Sequence, residues 1–219
     1  MKLALFDLDH TLIPFDSGLA WTRFLVARGR LAADAEATYL GYARQYVAGT
    51  LDIRAMHRAG LAPLLHHPLE ELQGWAREFE AAMAPRLPPA MQALVRRHLD
   101  AGDLCAIVTA TTRLVSEPFA RLFGVPHLVA TEAEVLNNRL TGAIEGEPCF
   151  CELKVSRVTQ WLAEGMRQPL ALADFAETWF YSDSVSDLPL LQAVTHPVAV
   201  RPDERLRVHA LARGWQLID

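Results

Sequence analysis

The chain opens on Lys2-Leu3-Ala4-Leu5-Phe6 and runs straight into Asp7-Leu8-Asp9-His10-Thr11. An apolar run this continuous suits a central strand covered on both faces. Two carboxylates directly behind such a strand then stand at its C-terminal end, where open α/β sheets gather their ligands.

Four more apolar runs read as strands, so that the set is 3–6, 104–109, 127–130, 178–181 and 197–200. Helical patterns lie between them. Met91, Leu94, Val95 and Leu99 share one face ahead of Ala101-Gly102-Asp103, and Val155, Val158, Trp161 and Leu162 repeat the pattern before Gly165. The alternation predicts an α/β fold with a doubly wound parallel sheet. The interval 13–89 breaks it with four helical patterns, near 18–27, 34–47, 53–65 and 69–83, and no strand. Gly29, Gly49 and Gly60 punctuate these, and Pro85 to Pro89 close them. The division this predicts is a small α-helical cap, 13–89, inserted into an α/β core formed by 1–12 and 90–219. Between Glu134 and Gly142 the sequence alternates around Asn137-Asn138, the pattern of a β-hairpin.

With 219 residues, 51% hydrophobic and 21% charged, the chain has the composition of a globular protein with one sizeable core and an insert. A net charge of −5 leaves no basic footprint, which argues against a nucleic-acid partner. The N-terminal apolar stretch is too short for a bilayer and is cut by Asp7 and Asp9, so no membrane partner and a cytoplasmic location are expected. The three cysteines fit a reducing compartment. Cys149 and Cys151 have no second Cys/His pair at zinc-like spacing and read as structural.

Where the backbone turns at a strand end, Asp7 and Asp9 can face one pocket, and their repulsion is relieved by a divalent cation or by protonating one of them. Asp183, within Ser182-Asp183-Ser184-Val185-Ser186-Asp187, adds a third carboxylate from another strand end. Asp7, Asp9 and Asp183 thus supply the hard oxygens that Mg²⁺ prefers, with Asp187 placed to orient Lys154 or a metal-bound water. Thr109 at a strand terminus, Lys154 at a helix start and the backbone N–H groups of a turn at Ala110 to Thr112 suit the oxygens of a phosphoryl group. In this reading Asp7 is the nucleophile, Asp9 is the general acid and then base, and the partner is a small phosphorylated metabolite.

Taken together, D-x-D-x-T at 7–11, Thr109 after an apolar run, Lys154, and Asp183-x-x-x-Asp187 after another run resemble the haloacid dehalogenase superfamily over nearly the whole chain. The resemblance implies a Rossmann-like core and Mg²⁺-dependent phosphomonoester hydrolysis through an aspartyl-phosphate. The helical insert resembles the small cap of the phosphoserine-phosphatase-like branch. Ala130-Thr131-Glu132, Arg139-Leu140-Thr141-Gly142, Pro148-Cys149 and Lys154-Val155 are similar to bacterial members that include histidinol-phosphate phosphatases. Histidinol phosphate and phosphoserine therefore head the expected substrates. Phosphotransfer to a second alcohol differs only in what attacks the intermediate. A non-enzymatic receiver domain is disfavoured by a nucleophile on the first strand and by the long insert.

Two positions depart from the family pattern: Ser182 replaces the usual Gly, and Ser186 replaces the Asn of phosphoserine phosphatases. Three residues carry expected substrate contacts by resemblance. Ser186 offers a hydroxyl there. Asp16 holds the acidic position near a substrate amine, and reads equally as an ordinary helix N-cap. Arg58 approximates a carboxylate-reading arginine, and reads also as a solvated helix residue. Trp21, Phe24, Tyr39 and Tyr42 have the spacing of core aromatics.

Overall fold

The computed structural model describes residues 1–166 and 168–219. Among them the chain runs β1 (Lys2–Phe6), α1 (Ser17–Ala27), α2 (Ala35–Ala48), α3 (Ile53–Leu61), α4 (Leu69–Met83), α5 (Pro89–Asp100), β2 (Leu104–Thr112) and α6 (Arg113–Phe123). It continues through β3 (His127–Leu136), β4 (Arg139–Glu145), α7 (Leu153–Glu164), β5 (Glu177–Ser182), α8 (Leu188–Ala193), β6 (His196–Val200), α9 (Glu204–Arg213) and β7 (Gln216–Ile218). The strands form one sheet in the order β4-β3-β2-β1-β5-β6-β7, parallel throughout except for β4.

Leu3, Ala4, Leu5 and Phe6 are wholly buried, as a strand covered on both faces requires. From β1 the chain builds β2 and β3 to one side, then returns to lay β5 on the other. The strand order therefore reverses between β1 and β5. Asp7 and Asp183, the first residues past these two strands, open onto that crevice.

The structure extends or alters the local reading in four places. The strand expected over 104–109 continues to Thr112, with its pairing to β3 shifted between Val108 and Thr112, so Ala110 to Thr112 form an irregular strand end instead of a turn. The hairpin is the far end of a long β3 paired with β4, and Asn137 and Asn138 adopt φ of 51° and 60°, the left-handed values that a two-residue hairpin turn demands. Gly60 lies within α3 and ends nothing, because the chain proceeds directly into the 3₁₀ turn Ala62–Leu64. β7 was not foreseen, since three residues are too few to show alternation.

Helices α1 to α4 occupy the interval between β1 and α5, and α1, α3 and α4 bury apolar residues in a core cluster shared with the α/β layers, whereas α2 buries none. Trp21, Phe24 and Phe79 pack on one another, and Phe79 meets Phe119 of α6 edge-on at 5.7 Å. The hairpin buttresses this layer from outside: Leu69 N–H donates to the Asn138 carbonyl, and Arg54 pairs with Glu147 at 2.9 Å. Aromatic packing within and hydrogen bonding at the rim hold the helices over the strand ends. Among the described residues no helix is long and apolar enough to cross a membrane.

Candidate active site

Lys154 is the hub of the crevice. It lies in the first turn of α7, buried, and its Nζ donates to Asp7 Oδ1 at 2.8 Å and to Asp187 Oδ2 at 2.7 Å. Burial alone works to discharge an ammonium group, but the negative charges of Asp187 and Asp7 outweigh it and hold the Lys154 pKa well above the ordinary lysine value. Ser182 donates a further hydrogen bond to Asp187 Oδ2 at 2.8 Å. The hydroxyl that replaces the family's glycine therefore works as a second donor to the carboxylate that orients Lys154.

Asp183 is tied to the loop after β1. Its N–H donates to Thr11 Oγ1 at 3.0 Å, and the Thr11 hydroxyl donates back to Asp183 Oδ1 at 3.2 Å. Burial and the negative charges of Asp7 and Asp187 push the Asp183 carboxyl up to about 8. Arg201, at the end of β6, clamps the same loop by donating to the carbonyls of His10 at 3.1 Å and Thr11 at 2.6 Å. His10 itself is exposed and adopts a φ of 59°. Its side chain faces solvent while its backbone makes the turn that follows Asp9.

Asp9 points another way. Its Oδ1 accepts the Ser17 N–H at 2.7 Å and its Oδ2 accepts the Thr111 hydroxyl at 2.9 Å. Both donors sit on the side of α1 and β2, so the structure does not bring this carboxylate to Asp7 and Asp183 as a third metal ligand. Among the described residues no group of three His, Cys, Asp or Glu side chains stands close enough to hold a metal ion. Burial first, and then the negative charge of Asp16, push the Asp9 carboxyl up to about 7, with the Ser17 hydrogen bonds opposing. A carboxyl poised there gives and takes a proton near neutral pH.

Thr109 is buried at the end of the regular part of β2, beside Ala110, and its Oγ1 accepts the Thr111 N–H at 3.2 Å. The helix that follows, α6, carries no side-chain cap at its N-terminus. Ser186 sits in a hydroxyl cluster: Tyr46, from the last turns of α2, reaches Ser184 Oγ at 2.6 Å and Ser186 Oγ at 3.1 Å. Asp16 is the N-cap of α1, its Oδ1 accepting the Leu19 N–H at 2.7 Å and the Tyr39 hydroxyl at 2.6 Å. Gly18 makes room for that phenol, because a Cβ there would collide with the Tyr39 oxygen. Arg58 is exposed on α3 and is not brought to the crevice; its neighbour His57 is the buried one. Solvation of the long cationic side chain decides which of the two turns inward.

Thr111, Tyr46 and Arg201 were not legible as site residues, since each acts through a partner far away in sequence, and Ser17 was not because it meets Asp9 through its backbone N–H, which no residue type signals. Thr11 had a signal, its place in D-x-D-x-T, but no assigned role. Cys149 and Cys151 remain thiols, pushed up to about 12 and about 11 by burial, and Cys149 donates to the Val129 carbonyl.

A doubly wound sheet with a lysine bridging two carboxylates at its switch point, roofed by helices, defines a class of α/β enzymes. The chain belongs to the haloacid dehalogenase-like hydrolases, whose family model matches residues 4–192. A histidinol-phosphatase of Neisseria meningitidis is 40% identical over 221 residues, covering 100% of this chain and 98% of that protein. A phosphoserine phosphatase of Mycobacterium tuberculosis is 31% identical over 227 residues, 99% of this chain and 70% of its own length. The crystal structure of a protein from Bordetella pertussis superposes with a TM-score of 0.91 at 50% identity, covering 100% of this chain and 98% of that one.

Proposed function

We propose that this enzyme is a phosphomonoester phosphatase that works through an aspartyl-phosphate on Asp7, with helices α1 to α4 as its cap. The observation that carries the reading is the different fate of the two neighbouring carboxyls. Asp7 is ion-paired with Lys154 on the α7 side, whereas Asp9 is held by Ser17 and Thr111 and titrates near 7. One is dressed as a nucleophile, the other as a proton donor.

In the first half-reaction an Asp7 oxygen attacks phosphorus, the bond from phosphorus to the alcohol oxygen breaks, and Asp9 protonates the departing oxygen. In the second, Asp9 takes a proton from the water that attacks the phosphoaspartate, and phosphate leaves. Lys154 and the Thr109 hydroxyl meet the non-bridging oxygens, joined by backbone N–H groups from Ala110 into α6. The surplus of buried carboxylates over the single Lys154, visible in the raised Asp183 pKa, fits a divalent cation beside Asp7 and Asp183. Mg²⁺ held by Asp7 and Asp183 would neutralise charge on the phosphoryl group.

The sequence relatives direct the substrate search to amino-alcohol and amino-acid phosphates. The test is phosphate release from histidinol phosphate, phosphoserine and sugar phosphates with Mg²⁺, with EDTA, and with Asp7→Asn. Hydrolysis that requires Mg²⁺ and vanishes in Asp7→Asn is the expected result. Undiminished turnover by that variant rejects Asp7 as the nucleophile, and full activity in EDTA rejects the metal.

A further inference from the structure

Between α1, α2, α3 and α6 lies a cavity of 260 Å³, walled mainly by apolar side chains such as Trp21, Met56, Leu114 and Val115. Thr111 belongs to this wall and is also the residue whose hydroxyl holds Asp9 Oδ2. The space therefore adjoins the carboxyl assigned to the leaving oxygen.

The charge of the lining is one-sided. Among the described lining residues there is no Lys and no Arg, and Asp34 is the only carboxylate. His57 is the one basic side chain, and burial pushes its pKa down to about 4, so at neutral pH it carries no charge. It is 6% exposed, and its Nε2 has no hydrogen-bond partner. The Ala110 backbone hydrogen-bonds the ring, and Nε2 is left as a buried polar atom free to meet a ligand atom, in a wall whose other polar groups are hydroxyls and Asp34. A carboxylate brought into the same space finds no cation, and an unpaired buried charge is costly.

We infer that this cavity takes the alcohol part of the substrate, that this alcohol has an apolar body and no carboxylate, and that His57 reads a hydrogen-bonding group on it through Nε2. The inference rests on the phosphatase reading above and narrows it from amino-acid phosphates toward carboxylate-free alcohol phosphates. Mainly apolar walls with a few polar groups are the ordinary construction of a small-molecule site, and they exclude by what they lack as much as they select by what they offer.

The experiment compares kcat/KM on the Mg²⁺-loaded enzyme for two pairs of phosphoesters. Phosphoserine and phosphoethanolamine differ only by the carboxylate, and the second is expected to be the better substrate by about tenfold or more. Histidinol phosphate and p-nitrophenyl phosphate both carry a ring, but only the first offers His57 a ring N–H group. His57→Phe keeps a ring in the wall and is expected to lower the preference for histidinol phosphate over p-nitrophenyl phosphate about tenfold, the worth of a hydrogen bond to a buried group. His57→Gln, which restores a hydrogen-bonding atom, is expected to recover part of it. Equal rates on phosphoserine and phosphoethanolamine overturn the exclusion of carboxylates. An unchanged preference in His57→Phe overturns the role of His57. Failure to hydrolyse any of the four esters rejects the phosphatase reading itself, a different outcome from either.

Discussion

Thr111 donates its hydroxyl to Asp9 Oδ2 at 2.9 Å across a sequence separation of 102 residues, and the same Thr111 forms part of the cap cavity wall. One side chain thus links the carboxyl assigned to proton transfer with the space assigned to the leaving group. Thr111→Val keeps the shape and removes the donor. We expect kcat to fall about 10- to 100-fold, the range for a hydrogen bond to an ionisable group, with little change in KM. Thr111→Ser should restore most of it. Steady-state kinetics on the three proteins decide the matter, and an unaltered kcat in the valine variant removes Thr111 from the machinery.

Asp9→Asn tests the proton donor itself. The amide preserves size but cannot release a proton, so turnover should drop by roughly 10²–10⁴-fold. The loss should be greatest for alkyl phosphates, whose leaving oxygen needs the proton, and least for nitrophenyl phosphate. A uniform loss across leaving groups contradicts the assignment.

Asp16→Asn separates two jobs of one residue. Asparagine caps a helix about as well as aspartate, so α1 and the melting temperature should hold. After burial, the Asp16 charge is the next largest cause of the raised Asp9 pKa, and removing it makes ionised Asp9 easier to form. The pH above which the acid form of Asp9 is lost should move down from about 7. The basic limb of the kcat profile for an alkyl phosphate reads this directly, and an unmoved limb shows that Asp16 only caps.

His57 makes folding stability depend on pH. Its pKa falls from an ordinary 6.5 to about 4 on burial. Above pH 6.5 both folded and unfolded forms are neutral there, and no penalty exists. As the pH drops from 6.5 toward 4 the unfolded chain takes up a proton that the folded one refuses, so stability is lost, by about 3 kcal/mol in full. Asp9 and Asp183, with pKa values raised to about 7 and about 8, slope the other way, since the folded form binds their protons first. The clean measurement is the difference between wild type and His57→Phe in urea unfolding at pH 7.5 and pH 4.5, with EDTA present throughout. An equal difference at both pH values shows that His57 does not titrate in this window.

Much of the architecture was legible because it is written locally. The run Leu3 to Phe6 has to be buried on both faces, the alternation of strand and helix implies crossovers, and Asn137-Asn138 suits a left-handed turn; each follows from neighbours in the chain. The positions of Asp7, Lys154, Asp183 and Asp187 at strand ends and helix starts were readable for the same reason, since element ends are local signals. The direction in which the Asp9 carboxylate points was not. It depends on Ser17 and Thr111 arriving from α1 and β2, which requires the sheet order and the seating of the cap.

Tertiary structure likewise decided that His57 turns inward and Arg58 outward, that Ser182 serves Asp187, that Tyr46 reaches Ser186, and that Arg201 holds the backbone of His10 and Thr11. The physical reason is range. Hydrophobic periodicity and backbone preference act over a few residues and survive in the sequence as pattern. Hydrogen bonds, ion pairs and pKa shifts are set by atoms a few ångströms apart in space, and at this site those atoms come from residues up to 191 positions apart, brought together only when the whole sheet has formed.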